Sequence, residues 1–246
     1  FQQALDACPV DKINEINDYK SDIAFCFEFL GIECQNQEKF EEAKIFYTRA
    51  HQMLVECFES NKDYENDMKS AESKLYNLEG CVLYKEKDYE EALEKSQKAL
   101  EICPSDEFDL IDEYKLNMAY SYHHLGMKSS DADNFEEAIK LYKKAHQKLL
   151  ERSERYESYR KLIEAEIYNL EALQLSCLGI INEAIKKHQL AIKTSPVETV
   201  NFVGIYKNNI AGCFYDLGNQ CMDQKEYSEA KEYFDKAFQN CCAGYR

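Results

Sequence analysis

Apolar residues recur along the chain at intervals of three, four and seven positions, the spacing of one face of an α-helix. Only 8 Gly and 3 Pro interrupt the 246 residues, so turn formers are scarce and an all-α protein is predicted. We expect ten helices, at 11–35, 38–60, 64–86, 88–103, 107–128, 134–154, 157–179, 181–194, 198–223 and 226–243.

One helical phrase occurs five times, as in "EKFEEAKIFYTRA" at 38–50 and "DNFEEAIKLYKKA" at 133–145. Its first alanines are separated by 49, 46, 46 and 46 residues, and a second alanine follows each one seven positions later. The pairs are Ala43 and Ala50, Ala92 and Ala99, Ala138 and Ala145, Ala184 and Ala191, and Ala230 and Ala237. A fixed period of this size predicts a solenoid, in which each unit buries its apolar face against its neighbours.

A small residue precedes each first alanine by twelve positions, and an aromatic residue precedes that small residue by four. The small residues are Gly31, Gly80, Gly126, Ala172 and Gly218. Small residues that face each other let two antiparallel helices approach closely, so each unit is predicted to be a helical hairpin. One array is expected over 1–246, with hairpins at 11–60, 64–106, 107–155, 156–197 and 198–246.

The opening stretch "FQQALDACP" matches the end of a second helix, since Phe1 and Ala4 lie 46 residues before Tyr47 and Ala50. We therefore expect 1–10 to be the end of a truncated preceding repeat, and the chain to be a fragment of a longer protein.

These residues resemble the tetratricopeptide repeat (TPR) family. The best match is 73–106, where Tyr76, Gly80, Tyr89, Ala92, Ala99 and Pro104 fall in register. Ser96 there replaces the aromatic residue of the second helix, and Glu79 replaces a leucine. The period exceeds that of the family by about twelve residues, about three helical turns. The resemblance implies a long-helix, right-handed α-solenoid of stacked antiparallel hairpins.

A longer period of two hairpins, the two-hairpin rhythm, is superimposed on the repeat. The three prolines, Pro9, Pro104 and Pro196, are each followed ten residues later by Tyr-Lys, which indicates that two kinds of hairpin alternate. The Tyr-Lys pairs at 19–20, 114–115 and 206–207 are either recurring contact sites or part of an apolar helix stripe. The stripe is favoured, because the apolar residues that follow each tyrosine keep helical spacing.

Net charge and cysteine content restrict the classes of binding partner and the cellular compartment that are expected. With 30 basic and 46 acidic residues the net charge is -16, which disfavours nucleic acid and anionic membranes as partners. No apolar run approaches the roughly 20 residues of a membrane span, so a soluble chain is expected.

The 11 cysteines are an odd number, and the sequence contains no glycosylation motif, which favours a reducing, cytoplasmic compartment. We interpret them as small buried packing residues, with the adjacent Cys241 and Cys242 unexplained.

Motifs of catalysis are absent from the sequence. It contains no Gly-rich phosphate loop, no His-Glu-x-x-His and no Gly-x-Ser-x-Gly. No cysteines have the Cys-x2-Cys spacing of a metal site, and His51 and His146 share one repeat position. We therefore expect a protein that is not an enzyme, with no cofactor and no metal.

The family resemblance implies that the first helix of each hairpin lines a concave groove. The candidate partner-binding residues are Glu28, Gln35, Lys74, Asn77, Tyr84, Tyr120, His123, Glu166, Asn169, Tyr215 and Met222. Asn77 and Asn169 are of interest because an amide side chain can both donate to and accept from a peptide backbone; the alternative is that they are merely exposed. The subtype that binds chaperone C-termini is disfavoured, since among its basic groove residues only Lys74 is matched.

The function predicted from these features is a scaffold or adaptor that binds a basic or mixed-charge protein or peptide in the groove. Three alternatives stay open: a structural subunit of a cytoskeletal or ciliary assembly, a peptide-sensing regulatory domain, and the interaction segment of a larger enzyme.

Overall fold

The computed structural model describes residue 3, residues 12–150 and residues 156–244, with no strand among them. Ten α-helices lie in this part of the chain: α1 Ile13–Asn36, α2 Phe40–Ser60, α3 Glu65–Lys85, α4 Tyr89–Ile102, α5 Phe108–Asp131, α6 Phe135–Leu150, α7 Glu157–Cys177, α8 Ile181–Thr194, α9 Val200–Asp223 and α10 Tyr227–Gly244. The predicted all-α architecture is confirmed. None of these helices combines the length and the apolar character needed to cross a bilayer.

The chain divides into two compact units, Phe1–Ser121 and Tyr122–Arg246. In the first unit α1 packs on α2 and α3 on α4, and α2 also contacts α3. In the second unit α7 packs on α8 and α9 on α10, while α6 contacts α7 and α8 contacts α9. Each unit is therefore a stack of helical hairpins. Apart from Gln3, the predicted repeat end at 1–10 lies outside the described residues, as does the side chain of Cys242.

Three-residue loops close all five hairpins in the same conformation. The middle residue of each loop has a positive φ, between 57° and 76°, and these residues are Glu38, Lys87, Asp133, Gly179 and Lys225. The residue after it donates its backbone N–H to a carbonyl five positions earlier, as from Lys39 to Cys34 at 2.9 Å and from Ile180 to Leu175 at 2.9 Å. This left-handed turn satisfies the last helical carbonyls and reverses the chain.

Inside four of the hairpins, a glycine of the first helix faces a side chain of the second. A Cβ atom added at Gly31 would lie 2.6 Å from the Tyr47 ring, and one added at Gly218 would lie 2.6 Å from the Phe234 ring. Except for Ala237, the repeated alanines are 0% or 1% exposed. The predicted close approach of the paired helices is confirmed.

Two of the three Tyr-Lys motifs contribute a core tyrosine, whereas Tyr19 of the first motif is only partly buried. Tyr114 and Tyr206 are 0% exposed, and Lys20 pairs across the first hairpin with Glu56 at 2.6 Å. The prediction of an apolar stripe is confirmed for both buried tyrosines, because each ring lies between packed helices.

The cysteine prediction is correct only in part. Cys57, Cys213 and Cys221 are buried, whereas Cys26, Cys177 and Cys241 are exposed. The packing interpretation is therefore wrong for Cys26 and Cys177, and Cys241 stays unexplained. Cys26 and Cys213 share a repeat position, but α1 presents that position to solvent.

His188 of α8 occupies the position that holds Tyr47 in α2. It is 0% exposed, and neither ring nitrogen has a hydrogen-bond partner. Burial lowers the pKa of His188 to about 4, so the ring is neutral and serves as a packing residue.

Substitution of Gly31 by alanine is expected to destabilise the protein by about 1–3 kcal/mol, because the new methyl group collides with the buried Tyr47 ring. Gly212 of α9 is the matched control, since no atom lies within 4 Å of a Cβ added there. Gly212→Ala is expected to stabilise by about 0.5–1 kcal/mol through helix propensity. Urea unfolding measures both variants, and equal effects would contradict the proposed close approach.

Substitution of His188 by leucine is expected to stabilise the protein increasingly as the pH falls from 7 to 5. Below its ordinary pKa of 6.5, His188 binds a proton in the unfolded chain but not in the folded one, so acid favours unfolding. At pH 5 this effect is on the order of 2 kcal/mol. Denaturant midpoints at both pH values measure it, and a difference independent of pH would show that His188 accepts protons in the folded state.

Candidate functional site

In the first unit, side-chain bonds join the first helices of neighbouring hairpins. Lys74 of α3 donates to Glu28 of α1 at 2.7 Å, and these two side chains are 12% and 10% exposed. Asn77 of α3 donates to Glu113 of α5 at 2.8 Å and accepts from Asn117 at 2.7 Å. We refer to such bonds between first helices as the polar ladder.

Glu113 is where three first helices meet. Besides the bond from Asn77, its carboxylate accepts a 3.5 Å bond from Gln35 of α1. Burial raises the pKa of Glu113, while the bonds from Asn77 and Gln35 oppose that rise. A buried carboxylate with two amide donors fixes the relative position of α1, α3 and α5.

The second unit has a polar ladder of its own. Asn209 of α9 donates to Asn169 of α7 at 2.9 Å, and Tyr206 donates to Glu166 at 2.7 Å. Burial raises the pKa of Glu166, and the hydrogen bonds from Tyr206 and Asn169 oppose it. The Tyr159 hydroxyl lies 3.0 Å from Nδ1 of His123, whose pKa burial lowers to about 4.

The contacts repeat with the predicted two-hairpin rhythm. Asn77 and Asn117 are each followed 92 residues later by another member of an amide pair. The Glu79–Lys95 ion pair at 2.6 Å has its counterpart in Glu171–Lys187 at 2.7 Å. Glu79, at the family's leucine position, thus braces the two helices of its hairpin through charge.

The predicted partner-binding residues fall into three groups. Glu28, Lys74, Asn77, His123, Glu166 and Asn169 take part in side-chain bonds between first helices. Tyr215 and Met222 are exposed, by 55% and 45%. Gln35, Tyr84 and Tyr120 line one cavity of the first unit. The alternative that Asn77 and Asn169 are merely exposed is wrong, since they are 3% and 7% exposed; peptide binding by them stays a prediction.

The cavity has a volume of about 310 Å³. Its walls come from the ends of α1 and α3, from the start of α2, from α4 and α5, and from the loop that closes the first hairpin. The lining residues are Gln35, Asn36, Glu38, Phe40, Gly80, Cys81, Tyr84, Lys85, Ser96, Asn117, Tyr120 and Ser121. Burial raises the pKa of Tyr84 and of Cys81 to about 12, so both groups are uncharged and the Cys81 thiol is a poor nucleophile.

Several residues of the polar ladder were not predicted from sequence, chiefly Glu113, Asn117 and Ser73. Ser73 and Tyr114 join α3 to α5 through hydroxyls 2.9 Å apart. The 92-residue spacing of Asn117 and Asn209 was a usable signal, because it equals that of Asn77 and Asn169. Glu113 gave no such signal, since its counterpart after 92 residues is Ile205.

One thiol and two carboxylates lie close enough to share a cation. The ligand atoms of Cys221, Glu226 and Glu229 are all within 4.8 Å of one another. Both carboxylates belong to exposed residues, and exposed acidic groups commonly cluster without binding a metal.

Two stretches match models of the tetratricopeptide repeat, residues 73–106 and residues 211–240. The first stretch is the register predicted from sequence. These matches identify tetratricopeptide repeats in the chain, and such repeats typically act as non-catalytic modules of protein–protein interaction. The protein is therefore an interaction scaffold in this general sense.

Several solved structures are similar to this chain at low sequence identity. No sequence among curated proteins matches the chain. BtubC (BKLC) from P. vanneervenii is 15% identical, with 94% of this chain and 92% of that one covered at a TM-score of 0.36. YrrB, a TPR protein with an unusual peptide-binding site, is 15% identical, with 93% of this chain and 92% of that one covered at a TM-score of 0.37. The pilF protein of Pseudomonas aeruginosa is 17% identical, with 87% of this chain and 97% of that one covered at a TM-score of 0.38.

Replacement of Lys74 by methionine is expected to destabilise the protein by about 3–5 kcal/mol, because it leaves the Glu28 carboxylate buried without its counter-ion. The double variant Glu28→Gln with Lys74→Met is expected to recover much of this loss. Lys69→Met is the matched control, since Lys69 of the same helix pairs with Glu65 at the surface and is expected to cost under about 1 kcal/mol. Urea unfolding measures all three; similar midpoints for the two lysine variants would contradict a buried pair.

Proposed function

We propose that the protein binds an extended, basic segment of a partner protein along the first helices of its first unit. The observation that carries the proposal is an excess of carboxylates around the Glu28–Lys74 pair. Burial raises the pKa of Asp67. The nearby carboxylates of Glu107 and Asp106 raise this pKa further, whereas Lys74 lowers it. Glu107 and Asp67 also raise the pKa of Glu28. The carboxylates of Glu28 and Asp67 share the charge of Lys74, and that of Glu107 interacts with both of them.

The surface members of this group are available to a partner. Asp67 and Asp106 are exposed, whereas Glu28 is buried. A lysine or arginine of a bound segment would relieve the repulsion that raises the pKa of Asp67, and a negative net charge of 16 would speed the approach of a basic partner.

The polar ladder supports this function indirectly. Because Glu28, Asn77 and Glu113 use their polar atoms to hold α1, α3 and α5 together, they present a rigid surface. Binding to a preformed surface costs less conformational entropy than binding to a mobile one. Recognition is then left to exposed carboxylates and to residues at the cavity mouth.

Selection from a displayed library of random 15-residue peptides tests the proposal. We expect the full chain to enrich peptides rich in lysine and arginine, and to bind them about tenfold more weakly when salt is raised from 0.05 to 0.3 M. The double variant Asp67→Lys with Asp106→Lys is expected to lose this enrichment.

The matched control is Glu41→Lys with Glu94→Lys. It makes the same change of net charge on the exposed surfaces of α2 and α4, so it is expected to keep the enrichment. Enrichment of neutral or acidic peptides would overturn the proposal, as would an equal loss in both double variants. Glu28 is unsuitable for charge reversal, because its reversal would break a buried pair.

A further inference from the structure

Four of the five hairpins place a ring at one position of the second helix, and one hairpin does not. The position recurs with the repeat spacing of 49, 46, 46 and 46 residues. Its occupants are Tyr47, Ser96, Tyr142, His188 and Phe234. Ser96 of α4 is therefore the exception, and it is 2% exposed.

The ring and the small residue opposite it fit one another. Gly31, Gly126 and Gly218 face the six-membered rings of Tyr47, Tyr142 and Phe234, with an added Cβ within 3.3 Å of each ring. In the fourth hairpin the glycine position holds Ala172, which has one more methyl group, and the ring position holds His188, whose imidazole is smaller. Gly80 keeps the smallest side chain although no ring opposes it: an added Cβ would meet Ser96 Oγ and the Ala92 carbonyl at 3.2 Å.

The missing ring coincides with the cavity of the first unit, since Gly80 and Ser96 both line it. At about 310 Å³ the cavity lies at the lower end of the range of small-ligand sites, roughly 300–1000 Å³. An apolar cavity of about 150 Å³ is enough to bind benzene. One phenyl or phenol ring fits the available volume.

The walls of the cavity are suited to an uncharged ring. Tyr84 and Tyr120 present rings whose centroids are 6.3 Å apart, and Phe40 lies on another side. Lys85 pairs with Glu38 at 2.5 Å, so these two lining charges neutralise each other. Aromatic walls favour offset or edge-to-face contact with a bound ring.

A polar group at the cavity already binds a phenol. Gln35 Oε1 accepts a 3.2 Å hydrogen bond from the hydroxyl of Tyr47, and Gln35 lines the cavity together with Asn117 and Ser121. An amide oxygen has two lone pairs, so Gln35 can accept from a second hydroxyl. This feature favours tyrosine over phenylalanine as the occupant.

We propose that this cavity binds the aromatic side chain of a tyrosine in a partner protein, which supplies the ring that Ser96 omits. The inference rests on the proposed function, because it gives the bound segment an anchor. The partner thereby completes the core of the second hairpin with a residue of its own.

The experiment measures the binding of N-acetyl-tyrosinamide to the full chain by ligand-observed NMR, with N-acetyl-leucinamide for comparison. We expect the tyrosine derivative to bind at least about fivefold more tightly than the leucine derivative. Ser96→Ala keeps the cavity and is expected to bind as the wild type does. Ser96→Phe fills the cavity from α4 and is expected to weaken binding at least about tenfold.

Cys81→Phe fills the same cavity from α3, so it tests the site even if Ser96→Phe fails to fold. Gln97→Phe is the matched control, because it adds the same ring beside Ser96 on α4 and is expected to leave binding unchanged. Thermal unfolding establishes that each variant is folded. Failure of the tyrosine derivative to bind, or equal binding by folded Ser96→Phe or Cys81→Phe, would overturn the proposal.

Asp67→Lys with Asp106→Lys separates this inference from the proposed function. The double variant is expected to bind N-acetyl-tyrosinamide normally, since neither aspartate lines the cavity. If it binds the probe but the wild type enriches no basic peptide, the proposed function fails while the ring site stands. If basic peptides are enriched and the probe does not bind, only the ring site fails.

Discussion

The contact on which the rest of the structure depends is that between a small residue of each first helix and the side chain opposite it. Gly31 allows α1 to lie so close to α2 that the Tyr47 ring occupies the space of a Cβ atom. This approach buries the repeated alanines and brings the helices close enough for a three-residue loop to join them. The spacing of the small residues, the rings and the loops is consequently the same along the chain.

Neighbouring hairpins are joined by apolar core clusters, and polar groups add contacts between their first helices. Neighbouring first helices meet through Glu28, Asn77 and Glu113 in the first unit, and through Glu166 and Asn169 in the second. These groups are satisfied by one another, and removing one partner would leave a buried donor or acceptor unpaired. Residues that look like a binding surface in the sequence are thus largely committed to the scaffold.

The helices could be predicted from sequence because their signals are local and occur five times. The polar ladder could not, because repeat register places a residue on a helix face but does not tell which side chain it meets. The hairpin loops were also hidden: Glu38, Lys87 and Lys225 adopt the left-handed conformation without being glycine. Here the hydrogen-bonded turn outweighs the conformational preference of the residue.

The two-hairpin rhythm pairs residues of the second hairpin with counterparts 92 positions later in the fourth, so the place where the ring is missing can be compared between the units. Residues 77–117 and their counterparts 92 positions later share the amide pair and the Glu–Lys brace, so the scaffold contacts are retained in both. Ser96 and His188 hold the same place in this longer repeat, yet one leaves a cavity and the other fills its hairpin with a buried ring. Because the ladder and the brace hold α3, α4 and α5 without that ring, the first unit can keep the position open for a ring from outside the chain.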